Sequence, residues 1–148
     1  MATLNEDDIR AVMNAAGNCM LVMLENASFI QEELPNVTLD DTLRARAQDI
    51  CSSLVGTRHD ISTELDEFSE LLNDPSSSEK ILMRIERIII WIRKDIFQMH
   101  ELVTVLAAAA KRDPACGSAY FLIAESATNI LHAFNQTLDA ADKVKNVP

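Results

Sequence analysis

The chain has 148 residues, 48% of them hydrophobic and 24% charged, enough for one domain with a real core and too apolar for a disordered tail. Only 3 glycines and 4 prolines punctuate it, which excludes a sandwich or barrel of many short strands. The formal net charge of −10 argues against nucleic acid or an anionic membrane as the partner.

Apolar residues at steps of three and four predict four long helices. The first covers about residues 4–34, with Ile9, Val12, Ala16, Met20, Met23, Ala27, Ile30 and Leu34 on one stripe. Thr3 and Glu6 have the spacing of a capping box, and Pro35 ends the run. The second covers about 39–73, with Thr38 as the expected cap and Asp40 and Asp41 in the first turn, where the helix dipole favours acids. Its stripe runs through Leu43, Ala47, Ile50, Leu54, Ile61, Leu65, Phe68 and Leu72. Gly56 interrupts it near the height of Gly17 on the first helix, which reads as a local kink or a close approach of two backbones.

Ser76 and Glu79 give another capping-box spacing, and the third helix covers about 77–112. Its stripe is Ile81, Ile85, Ile88, Ile92, Ile96, Met99, Val103, Leu106 and Ala110. The fourth covers about 114–144, opened by Asp113-Pro114 or, later, by Gly117-Ser118, and striped by Tyr120, Ile123, Ala127, Ile130, Phe134 and Leu138. Linkers this short force consecutive helices antiparallel. The expected fold is an all-α, up-down-up-down four-helix bundle forming a single domain over residues 1–148.

The three cysteines, Cys19, Cys51 and Cys116, are odd in number and form no C-x-x-C pair, so all three read as buried or half-buried reduced thiols. The segment Met1–Asp8 is acidic where a secretion signal starts with positive charge. The longest apolar runs fall far short of the ~20 residues that span a bilayer. A cytoplasmic protein is the expectation.

Bundles often hold metals, haem or lipids, and each has a sequence test. The residues three before His59, His100 and His132 are Gly56, Phe97 and Asn129, so no Glu-x-x-His di-iron motif is present. Met13 and His132 have matching heights for haem ligation, but His132 projects about 140° from its stripe, toward solvent. His100 reads as a residue at the edge of its stripe. His59 lies near Ser62 and Thr63, yet a bare helix offers neither a strained turn nor an oxyanion hole. There is no Walker loop, dinucleotide fingerprint or zinc spacing. No catalytic residue, cofactor or metal is expected, and the chain reads as a non-enzyme.

Two features exceed what a self-contained core requires. Residues 1–75 hold 15 acids and 4 bases, whereas residues 76–148 hold 8 acids and 9 bases. The basic residues concentrate on the third helix, in Lys80, Arg84, Arg87, Arg93, Lys94, Lys111 and Arg112; either the acidic first and second helices flank it within the bundle, or their acidic face is built to meet a basic partner. Opposite the third helix's stripe stand Met83, Ile90 and Phe97, seven apart, with Trp91 beside them. Leu21, Val22 and Phe29 similarly lie off the first helix's stripe. A helix apolar on two sides is buried on two sides, and heptad spacing suits helix-on-helix contact.

The sequence therefore implies an acidic bundle acting by protein–protein contact, as adaptor, chaperone or inhibitor, and homodimeric or bound to another protein. The expected anchors are Met83, Ile90, Trp91 and Phe97, then Leu21, Val22 and Phe29. Glu64, Asp66, Glu67 and Glu70 are expected to steer a basic partner. The alternative is a carrier of a small apolar ligand or lipid within the bundle, its pocket lined by Met13, Met20, Met23 and Met99.

Overall fold

A computed structural model describes residues 4–72 and 78–145. It contains four long helices, α1 (Glu6–Glu33), α2 (Asp41–Leu71), α3 (Ser78–Arg112) and α4 (Gly117–Lys145). They run up-down-up-down in a ring, α1 packing on α2 and α4 and α3 packing on the same two, with the most extensive contact between α1 and α4. Alanines at core positions of both, such as Ala16, Ala27, Ala127 and Ala141, keep that seam slim.

The helix ends follow the expected logic with different residues in two places. The α1 cap is Asn5, whose Oδ1 accepts from the Asp7 amide at 2.8 Å; Thr3 lies outside the described residues. Pro35 ends α1 in a 3-10 turn over Leu34–Asn36. Arg44 then donates to the carbonyls of Leu34 and Val37, each at 2.8 Å, satisfying acceptors that the helix end leaves open. Asp40 caps α2 by accepting from the Leu43 amide at 2.8 Å. Thr38, expected in that role, is used elsewhere: its amide donates to the Tyr120 hydroxyl and its carbonyl accepts from it. Its Oγ1 donates to Asp113 Oδ2. The α1–α2 and α3–α4 connections are thereby latched together at one end of the bundle. Pro114–Cys116 form a second 3-10 turn, so α4 starts at Gly117. Ser76 and the side chain of Cys116 lie outside the described residues.

The core is continuous, with Val12, Ile30, Ile50, Leu54, Ile61 and Phe68 from α1 and α2 and Ile85, Ile88, Ile92, Met99, Ile130 and Phe134 from α3 and α4 all buried. Gly17 and Gly56 do not mark a close approach of two backbones. Both helices run through them unbroken, and an added Cβ would meet nothing within 4 Å at either. Close backbone packing is therefore not what these glycines provide.

Candidate interaction surface

α3 is 35 residues long, about 52 Å at 1.5 Å per residue. Its inner face enters the core through Ile81, Ile85, Ile88, Ile92 and Met99. At 100° per residue, Ile90 then points directly away from the core, and Met83 and Phe97 lie within about 20° of it. The structure places all three in solvent, at 54%, 62% and 74% exposure for Met83, Ile90 and Phe97. Arg87, Arg93 and Lys94 are exposed around them. Trp91 does not share this line. Adjacent residues are about 100° apart on a helix, so it turns to the flank of α3 and packs half-buried against the core.

On α1, Leu21 is exposed at 61%. Val22, expected to be free, is half-buried against the core, and Phe29 is half-buried as well. Leu24, Val55, Phe121 and Leu122 are exposed large apolar residues that the sequence reading did not single out. Phe121 lies on the rim of a groove between α3 and α4 with Val103, Ala107 and Ala124. Its signal was available, since it lies off the α4 stripe as plainly as Phe97 lies off the α3 stripe.

The four acids expected to steer a partner do not act as one patch. Glu64 is buried, receiving Arg84 at 3.0 Å and Arg87 at 3.3 Å across the α2–α3 seam. Glu67 also pairs with Arg84. Asp66 and Glu70 are exposed. A second ion pair, Arg46–Glu101 at 2.8 Å, ties the same two helices farther along. There the Arg46 guanidinium holds the Glu101 carboxyl below the usual carboxylate range. The acidic–basic asymmetry of the chain is thus partly consumed inside the fold, at the seam between α2 and basic α3.

The polar group that sequence reasoning missed altogether is Asp95. It is fully buried on the inner face of α3. Its Oδ1 accepts from the Ser53 hydroxyl of α2 at 3.1 Å, whereas Oδ2 makes no hydrogen bond. Burial raises its pKa, opposed by the nearby hydroxyls of Thr57 and Ser53 and by the charge of Lys94. Cys19 of α1 and Thr137 of α4 extend this polar layer to all four helices. Burial pushes the Cys19 thiol up to about 12, the Thr137 hydroxyl opposing and the Asp95 charge adding to the rise. Cys51 is likewise buried and pushed up to about 11. Both cysteines are free thiols, and neither has the exposed, electropositive setting of a nucleophile.

His59, His100 and His132 are all exposed, one each on α2, α3 and α4. His132 faces solvent as expected, whereas His100 stands clear of the edge position expected for it. Met23 and Met99 are fully buried, and Met13 and Met20 pack on the core from its margin. Among the described residues no three His, Cys, Asp or Glu side chains gather where they could hold a metal ion. No helix among them is long and apolar enough to cross a membrane. No protein-family model, curated protein or solved structure matches the chain.

Proposed function

We propose that this chain is a non-catalytic, acidic helical-bundle protein, resident in the cytoplasm, that acts by protein–protein contact through the outer face of α3. The observation that carries this reading is the line Met83–Ile90–Phe97, each more than half exposed on a helix whose inner face is already fully used. Water-facing apolar residues at heptad spacing gain free energy only when another surface covers them.

The reading names a second copy of the chain as that surface. A twofold axis passing beside Ile90 sets Ile90 against Ile90, and Met83 of each copy opposite Phe97 of the other, because both lie seven residues from Ile90. Antiparallel pairing of this kind closes on itself and leaves no open face to extend a fibre. The protomers are strongly acidic, so added salt should strengthen the dimer by screening their repulsion.

Light scattering on a sizing column tests this. A mass near twice 16.4 kDa, persisting at 0.5 M salt and lost in the Ile90→Asp, Phe97→Asp double variant with helicity unchanged, is the expected result. A wild-type monomer at millimolar concentration overturns the second-copy reading. A double variant that still dimerises removes the α3 face from it.

A further inference from the structure

We infer that the seam between α1 and α2 is a binding site for an aliphatic monocarboxylate, with Arg58 holding the carboxylate and the apolar groove beside it holding the chain. This site is separate from the α3 face and stands or falls independently of it.

The acidic half of the chain holds few cations. Residues 1–75 contain four, Arg10, Arg44, Arg46 and Arg58. Arg10 pairs with Glu6 at 2.8 Å, and Arg46 with Glu101 at 2.8 Å. Arg44 is engaged by two helix-end carbonyls. Arg58 differs from all three. Among the described residues it has no carboxylate within ion-pair distance, and its Nε is buried without a hydrogen bond. A guanidinium without a carboxylate partner beside an apolar groove favours an anionic ligand, because charge-assisted hydrogen bonds are the strong ones.

The surroundings define the rest of the ligand. Arg58 lines a shallow groove of about 100 Å³ together with Met23, Leu24, Ala27, Leu54 and Val55. Leu24 and Val55, at 44% and 50% exposure, form its rims. Ser28 and Gln31 complete the lining and offer donors for the second carboxylate oxygen. On α1 the groove extends from Met23 to Gln31, about 12 Å at the helical rise, which fits a chain of medium length. One cation beside an apolar trough fits a single carboxylate with an apolar tail.

Octanoate is the probe, and octan-1-ol is its neutral control. Titrated into labelled protein and followed by amide chemical shifts, octanoate should saturate with a Kd of about 1 mM or tighter, the scale that good ligand efficiency gives for so few atoms. The shifts should centre on Met23, Leu24 and Val55. Octanol should bind about tenfold more weakly, as expected when one charge-assisted hydrogen bond is lost. Arg58→Gln should bring octanoate to the level of octanol. Val55→Asp, which gives Arg58 a carboxylate three residues away on its own helix, should do the same with the arginine intact. Equal binding of acid and alcohol overturns the inference. So does undiminished octanoate binding in both variants, shifts spread over the core and α3, or no saturable shift up to 10 mM.

Discussion

The two faces of α3 invert the usual arrangement. Its inner face carries Asp95, a carboxyl with no exposure, and its outer face carries Ile90 and Phe97 in open water. Exchanging polar inside for apolar outside weakens a lone bundle at both places. What folds the chain and what it displays thus lie on opposite sides of one helix. The inner face is fixed by packing and tolerates one polar group because α2 supplies hydroxyls to it. The outer face contributes little to folding and is free to be specified by something else. The sharpest way to break this distinction is Ile88→Asp, two residues from Ile90 and fully buried. It would bury a charge among aliphatic side chains, and should cost more than about 4 kcal/mol and leave the chain unfolded by circular dichroism at 25 °C. A folded Ile88→Asp protein would show that the inner face is not the core.

Asp95 tests the same inner face through pH. Its folded pKa is raised by burial, so between the ordinary carboxylate value and the raised one the native state binds more protons than the unfolded chain. Stability therefore falls as pH rises through that window and is recovered on acidification. Glu101 works in the opposite sense, because its lowered pKa gives stability that is lost as pH falls. Asp95→Asn keeps an acceptor for Ser53 and removes the ionisation. Urea midpoints should show the wild type losing stability relative to this variant as pH rises above the ordinary carboxylate range. Parallel pH profiles for the two proteins would mean that Asp95 does not titrate in the core.

Much of this architecture was legible because its signals are local. Pro35 and the stripe spacing place α1 within two residues of its observed bounds. Caps were less so: Asn5 and Asp40 compete with Thr3 and Thr38, and the choice at the second helix was settled by Tyr120, 82 residues away in sequence from Thr38. Asp95 and Glu64 were missed for a different reason. Asp95 is seven residues beyond Ile88, about 20° from it on the helix, and Glu64 sits between Ile61 and Phe68 on one stripe. Their angles pointed inward, but their polarity suggested water. Partners on α2 and α3 make those positions tenable, and a single helix's pattern does not contain its partners. Arg58 was invisible in the same way, since a cation without an acid is a statement about three-dimensional neighbours.

Glu64 sharpens the comparison at the flank between the two faces. Removing it leaves Arg84 and Arg87 without their shared carboxylate at a half-covered seam. Glu64→Ala should lower stability by about 1–2 kcal/mol, the modest end for a buried pair because both arginines reach solvent. A double-mutant cycle with Arg84→Ala checks it, and a coupling energy near zero would show the seam to be held by packing alone.

The smallest expected effect is the most informative about display. Changing Met83, Ile90 and Phe97 together to serine removes three large side chains, a loss that would be ruinous on the inner face. On the outer face the same atoms are in water in both the folded and the unfolded monomer, so their removal leaves little free energy behind. The difference is reduced to helix propensity, and the urea midpoint of dilute protein should move by the equivalent of about 1 kcal/mol or less. At concentrations where the wild type dimerises the gap should widen, because association adds stability to the wild type alone. A gap that is large and independent of concentration would place these side chains in the monomer's own fold. A gap that grows with protein concentration assigns them to the contact between copies.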